Sequence, residues 1–403
     1  MSRKAEANEG ERVSTRLMRR VIAWLSGIAV LLLALLYLGG GWYFSGQINQ
    51  GALTVRHPAP DRSLRVLDAT RDTVTLVETG EDLPALDTNL TYGLAWEGGY
   101  GQVSGPAEPA AGQRQGVTRR LTMLEGAPPR TGEMAGLERD SYPEDHPGVA
   151  LGTTLRDVEY ASVDNRIPAW FVPGQDDTWV ILIHGGLGTD RTETLRVMRT
   201  STALKLPSLA IAYRNDEDAS GDPSGQYGYG RTEWRDLEGA VRYALDHGAD
   251  DVVLVGYSMG GAITASFLER SDLAPRVSRV VLDAPMLDFE TTIDYGASQR
   301  ALPLIGQVPA SLTWTAKQIA AVRYDVDWQA TDYLDDSSWL TVPTLVFHGE
   351  KDSRVPLSTS ATLAADHPRL VTLRTVKGAG HVEAWNDDPT AYDEALRTFL
   401  DQP

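Results

Sequence analysis

Apolar and polar positions change rhythm twice along the chain. Val21 to Phe44, "VIAWLSGIAVLLLALLYLGGGWYF", carries no charged residue. As a helix rising 1.5 Å per residue it would be roughly 36 Å long, enough for a hydrocarbon core of about 30 Å. It has no polar face that would suit it to a soluble bundle. From residue 45 to 150 the pattern is that of short strands. Thr73 to Thr79 alternates apolar with polar, and "LTYGLAWEGGYGQVSGP" and "GVTRRLTMLEGAPPR" read as further strands broken by Gly and Pro. No helical period runs through this region. It predicts a small β-rich region; the blander reading is a loose spacer.

From about residue 151 the rhythm changes again. "LRDVEYAS" and "PAWFVP" read as two strands around a turn at Asp164-Asn165. "TWVILIH", "SLAIAYR", "DVVLVGY", "VSRVVLDAP", "VPTLVFHG" and "RLVTLRTV" are strands, mostly apolar throughout. Between them lie helical stretches: Glu193 to Leu204, "TEWRDLEGAVRYALDHG", "AITASFLER" and "TAYDEALRTFL". In the second of these Trp234, Leu237, Val241 and Leu245 share a face and Gly248 can end the helix. Apolar strands alternating with helices predict a mostly parallel sheet covered on both faces. Between Met286 and Ser338 the alternation lapses into an aromatic-rich, helix-flavoured stretch, which fits a cap inserted over the sheet. The organisation expected is thus a basic segment (1–20), a transmembrane helix (21–44), a β-rich extracytoplasmic region (45–150) and an α/β domain (151–403) with a cap at about 286–338.

Charge sharpens the N-terminal reading. The chain carries 37 basic and 55 acidic residues, a net charge of −18 that argues against a nucleic-acid partner. The first 20 residues run the other way, with Arg3, Lys4, Arg12, Arg16, Arg19 and Arg20 against Glu6, Glu9 and Glu11. Arg16, Arg19 and Arg20 just before the apolar run keep the N-terminus cytoplasmic by the positive-inside rule and place residues 45–403 outside, with the bilayer contacted through residues 21–44. The rival reading is a cleaved signal peptide; the apolar stretch is longer than a usual signal core and no clear A-x-A site follows. The chain has no cysteine, which excludes disulfides, thiolate catalysis and Cys-ligated zinc. No phosphate-binding, zinc-protease, EF-hand or dinucleotide motif is present, so neither metal nor cofactor is expected. Asn89-Leu90-Thr91 is a glycosylation triplet, a short and weak match.

Candidate chemistry centres on "LVGYSMGGA", Leu254 to Ala262. Ser258 follows a strand directly and opens a helix, the context a G-x-S-x-G nucleophile elbow requires. A strained serine there needs small neighbours at Gly256 and Gly260, and the helix N-terminus points N–H groups at a developing oxyanion. The competing reading is a tight strand-helix turn with an inert serine. A base should follow later in the chain. His381, in the Gly-rich loop "KGAGHVEAW" after the last strand, is preferred over His367, which precedes Pro368 and reads as surface. For the acid, Asp352 in "VFHGEKDSRVP" is preferred over Asp283 in "VVLDAP"; Glu350 is a possible substitute. The oxyanion donors expected are the backbone N–H of Met259 and that of Gly186 in "HGGLGTD", with Leu187 as the neighbouring alternative. His184 reads as structural. The Gly-rich loop Arg214–Trp234 either lines the entrance or is a surface connection.

"HGGLG", "GYSMGG", "HGEKDSRVP" and "GAGHVEAW", in this order, resemble the α/β-hydrolase superfamily, most of all its serine-aminopeptidase-like and prolyl-oligopeptidase-like esterase/peptidase branches. The resemblance covers about residues 151–403. It implies a serine hydrolase with Ser258 as nucleophile, Asp352 as acid and His381 as base, acting on a carboxylic ester or, second, a peptide or amide. The alternative is a hydrolase-fold protein that binds a partner at the cell surface without turnover.

Overall fold

The computed structural model describes residues 2–57, 62–79, 86, 88–110, 116–144, 146–153, 155–163, 165–302 and 306–401, with side chains from residue 18 on. Asp164, half of the turn expected at Asp164-Asn165, lies outside the described residues. The apolar run belongs to one continuous helix, α1 (Ser2–Ile48), which passes into a π-helical turn over Asn49–Leu53. It begins well before Val21 because residues 2–20 contain no Pro and are rich in straight-chain helix formers. Trp24, Leu25, Leu32 and Leu36 are each more than half exposed. Among the described residues this is the one helix long and apolar enough to cross a membrane.

The β-rich region is a closed, antiparallel six-stranded barrel. Its strands β1 (Leu64–Ala69), β2 (Thr73–Glu78), β3 (Tyr92–Trp96), β4 (Gly99–Pro109), β5 (Gly116–Gly126) and β6 (Met134–Glu138) are ordered β1-β2-β5-β4-β3-β6. Alternation points Leu64, Val66, Val74, Leu76, Leu94, Val103 and Leu121 inward, where they form a core of their own. Closure removes the strand edges that an isolated meander would expose.

After a short helix, α2 (Gly148–Leu151), the chain builds an eight-stranded sheet. The antiparallel pair β7 (Arg156–Ala161) and β8 (Arg166–Val172) forms one edge. Next come β9 (Thr178–Ile183), α3 (Leu195–Ala203), β10 (Ser208–Ile211), α4 (Trp234–Asp246), β11 (Asp251–Tyr257), α5 (Met259–Arg270) and β12 (Val277–Asp283). The insertion between β12 and β15 holds α6 (Phe289–Ser298), a small hairpin of β13 (Ala301–Leu302) and β14 (Gly306–Gln307), and α7 (Ala310–Tyr324). The chain then returns through β15 (Thr344–Gly349), α8 (Leu357–Asp366), β16 (Val371–Val376), α9 (Ala384–Asp387) and α10 (Pro389–Leu400). Strand order is β16-β15-β12-β11-β9-β10-β8-β7, parallel from β16 to β10. The central strands read apolar throughout because both faces are covered: Val180 to Ile183 and Val252 to Val255 are essentially inaccessible. This is the α/β-hydrolase fold. α4 ends where expected, at Gly248 with φ of 105°.

The chain divides into two compact units. One comprises Met1–Gly51 with Ala297–Asp327, the other Ala52–Gly296 with Trp328–Pro403. In the first, α7 packs along the C-terminal turns of α1. In the second, the barrel and the eight-stranded sheet share one body, and the chain just after α1 is pinned there. Tyr227 donates its N–H to the Leu53 carbonyl (2.8 Å), and the Tyr229 hydroxyl donates to that of Ala52 (2.6 Å).

Candidate active site

β11 runs into α5 through a single residue, Ser258, with φ 48° and ψ −113°. A non-glycine residue at this φ is strained, and such strain persists only where the surroundings over-determine it. Here they do. A Cβ on Gly256 would lie 2.6 Å from the Gly260 carbonyl oxygen, one on Gly261 2.5 Å from the Pro285 Cβ, and one on Gly260 against the carbonyl oxygens of Ile183 and His184. The glycines let β9, β11 and α5 converge closely enough to force the serine out of the turn.

β15 and β16 deliver the two partners. The His381 Nε2 lies 2.9 Å from the Ser258 Oγ, and its Nδ1 lies 2.7 Å from Asp352 Oδ2. An ionised carboxylate has no proton to give, so Nδ1 carries the hydrogen and Nε2 is left as acceptor toward the serine hydroxyl. The Asp352 Oδ1 accepts the backbone N–H groups of Arg354 and Val355, both at 2.8 Å. Burial works to raise the Asp352 carboxyl, but hydrogen bonding to His348 and His381 and the Val355 amide outweigh it and hold it well below the usual carboxylate range. Burial pushes the His381 imidazole below its ordinary value of 6.5; Asp352 opposes that shift, while Arg139 and Arg354 add to it. The imidazole is therefore neutral at pH 7.

The other candidates stand elsewhere. Asp283 is fully buried and accepts from the Tyr392 hydroxyl at 3.1 Å; burial raises its carboxyl to about 6, against the pull of Arg196. Glu350 is exposed. His367 caps the end of α8 and pairs with the Ser337 hydroxyl at 2.9 Å. His184 is wholly buried, stacked on Tyr213 and joined to Asp216 at 2.9 Å.

The β9 loop lies against the elbow. A Cβ on Gly185 would meet the Ser258 Cβ at 3.3 Å, and one on Gly186 would meet the Met259 Sδ at 3.0 Å. Gly185 donates its own N–H to the buried Glu193 carboxylate at 2.7 Å, and its carbonyl accepts from the Tyr213 hydroxyl. Burial pushes the Tyr227 hydroxyl above its ordinary range, against the opposing pull of the Gly188 and Leu187 backbones. Of the two expected loop donors, Gly186 borders Met259.

Several contacts at this site had no sequence signal. Arg139, the residue after β6, donates to Glu193 Oε1 at 2.7 Å and reaches the His381 carbonyl at 3.5 Å. Tyr92 of β3 donates to Glu383 Oε1 at 2.8 Å, and Glu383 Oε2 accepts the Gly380 N–H at 2.9 Å. The Asn386 side chain donates to the carbonyls of Thr91 and Arg139, at 2.7 and 2.8 Å. The barrel and its flanking residues thus hold the His381 turn at His381, Glu383 and Asn386. The Tyr295 hydroxyl of α6 donates to the Asp352 carbonyl at 2.9 Å. Apart from Glu383 with Gly380, each of these pairs joins residues far apart in the chain, where no motif spacing applies.

Comparison with known proteins follows the same outline. The alpha/beta hydrolase family matches residues 180–395, more than half of the chain. Among solved structures, the esterase Pf2001 of Pyrococcus furiosus is similar at 19% identity and a TM-score of 0.50, over 63% of this chain and 94% of that one. The carboxylesterase CesB of Bacillus subtilis is similar at 17% identity and a TM-score of 0.45, over 64% and 95%. A bromoperoxidase of Bacillus anthracis is similar at 18% and 0.43, over 61% and 100%. At 19% identity the likeness to the Pf2001 esterase describes the fold alone.

Proposed function

The chain belongs to the alpha/beta hydrolase family, and from that premise we propose that it is a membrane-anchored serine hydrolase cleaving a carboxylic ester. In this reading residues 1–20 are a cytoplasmic basic segment, 21–44 cross the membrane, 45–150 are the β-rich extracytoplasmic region and 151–403 are the catalytic domain. One observation carries it: a single neutral imidazole, His381, spans from the Ser258 hydroxyl (2.9 Å) to the Asp352 carboxylate (2.7 Å).

The chemistry follows from those distances. His381 Nε2 takes the Ser258 proton as Oγ attacks the acyl carbon. Asp352 holds the tautomer and stabilises the imidazolium that forms. The carbonyl oxygen gains charge beside the N–H groups of Met259, at the N-terminus of α5, and of Gly186. The imidazolium then protonates the leaving alkoxide, giving an acyl-enzyme on Ser258. A water, activated by the same imidazole, releases the acid and regenerates the serine. Asp352 being far more acidic than usual and His381 less basic than usual keeps the pair in its working charge state at neutral pH.

The test is covalent labelling of the full-length protein with a fluorophosphonate. The wild type is expected to take up one label per chain and Ser258→Ala none. Equal labelling of the two, or none of the wild type, would overturn the reading.

A further inference from the structure

The insertion between β12 and β15 has a feature that the triad does not explain. Residues 301–316, "ALPLIGQVPASLTWTA", contain no Asp, Glu, Lys or Arg, in a chain of which 23% is charged. The described part of this stretch includes the N-terminal turns of α7, and those turns pack on α1 near the C-terminal end of its apolar run. The Tyr37 hydroxyl meets the Ser311 hydroxyl at 2.9 Å. Gly41 is buried, and a Cβ there would lie 2.7 Å from Thr315 Cγ2 and 2.9 Å from Ile319 Cδ1. At the far end Arg323 stacks its guanidinium 3.5 Å over the Trp42 ring and donates to the Ser45 hydroxyl at 2.7 Å and the Trp42 carbonyl at 2.9 Å.

Both residue numbers rise together along this seam, so the two helices run in the same direction. If α1 crosses the bilayer with residues 21–44, Tyr37 lies about 10 Å before the end of the apolar stretch. That is well inside a leaflet of roughly 15 Å hydrocarbon thickness; Ser311 lies level with Tyr37, and Thr315 level with Gly41. The hydroxyls at that level are internally paired, as a lipid environment requires: Thr315 donates to the Ser311 carbonyl at 2.8 Å and Ser311 pairs with Tyr37. Arg323, the charged end of α7, is level with Trp42, an aromatic suited to the interface. The outward row of α7 carries Trp314 (59% exposed) and Val322 (88% exposed).

We propose that residues 306–323 are an interfacial segment sunk beside α1 into the leaflet from which that helix emerges, and that Ser258 draws a bilayer-resident acyl ester from that leaflet. The second half rests on the serine-hydrolase reading. It is argued from chain continuity alone: Tyr295, which holds the Asp352 carbonyl, precedes Ala301 by six residues.

The chain has no cysteine, so single-cysteine variants report cleanly. Trp314→Cys and Val163→Cys, the latter at a residue 64% exposed in the other unit, would each be labelled with an environment-sensitive fluorophore in full-length protein. The protein would be reconstituted into phosphatidylcholine vesicles doped with doxyl-labelled lipid. Strong quenching at 314 but not at 163 is expected. Equal signals at the two sites, or a 314 label protected by a second copy of the chain, would overturn the immersion. A companion measurement compares the wild type with Trp314→Glu on two esters, a water-soluble short-chain ester and a long-chain acyl ester dissolved in the vesicles. The charge is expected to lower vesicle-ester turnover at least about tenfold while leaving the soluble ester unchanged. Equal losses on both, or on neither, would overturn supply from the leaflet. A wild type inactive on both would overturn the hydrolase reading, and supply with it, while quenching still decides immersion.

Discussion

Arg139 donates to Glu193 at 2.7 Å, and the same carboxylate holds the N–H of Gly185 at 2.7 Å. A residue just beyond the last barrel strand thereby braces the loop that lies against the nucleophile. The same guanidinium reaches the His381 carbonyl. The barrel is therefore a support for two loops of the candidate site, which gives residues 64–138 a physical task within the hydrolase body.

Arg139→Ala should accordingly lower kcat by about ten- to a hundredfold, with little change in KM, because it loosens positioning rather than binding. It should also move the acid limb of the pH–rate profile upward. The Arg139 charge lowers the His381 pKa, so removing it lets the imidazole protonate at higher pH. A steady-state pH profile of both proteins checks this; a purely structural loss would leave the limb in place.

For the unaltered protein, kcat/KM should rise with pH along a single limb whose midpoint lies below 6.5, since burial depresses the His381 imidazole and the neutral form is the active base. The profile is measured on a short-chain ester from pH 4 to 9. A midpoint at or above 7 would contradict the assignment of His381.

Asp352→Asn should cost about ten thousandfold in kcat through loss of the imidazole tautomer, whereas Asp283→Asn should leave kcat within about threefold. Asp283 accepts from Tyr392, 109 residues away, and makes no contact with His381 among the described hydrogen bonds. Steady-state kinetics on the two variants decide between the carboxylates, and the reverse outcome would transfer the acid role to Asp283.

Gly260→Ala should destabilise the fold by about 3 kcal/mol or more, because the new methyl meets backbone oxygens of β9 that have nowhere to go. Thermal melts followed by circular dichroism test it. Gly46→Ala serves as the control: a Cβ there meets nothing within 4 Å, and its Tm should be unchanged or slightly higher.

The strand-helix rhythm from residue 178 onward predicts the sheet well, because each central strand is buried on both faces and must be apolar along its length. The barrel is less visible. Its strands β1 and β6 carry no strong alternation or turn signal, and they exist because closure gives each a partner on both sides. The elbow at Ser258 is readable for a local reason: strand, serine, helix and the small residues that permit the turn are consecutive. No such locality links Arg139 to His381, which stand 242 residues apart, or Arg323 to Ser45, which stand 278 apart.

The sequence by itself determined the elements that depend on neighbours in the chain. These are the apolar helix, the strands and helices of the α/β body, the glycine-flanked turn at Ser258, and the order in which Asp352 and His381 follow it. Tertiary structure alone decided which carboxylate faces His381, that the barrel grips the histidine turn through Tyr92 and Arg139, and that α7 packs on α1. The physical reason is the range of the forces. Backbone propensity and side-chain periodicity act over a few residues and leave a trace in composition. A hydrogen bond or packed seam between distant segments is created by the order in which β16, β15, β12, β11 and β9 are laid side by side, and no short stretch of sequence records it.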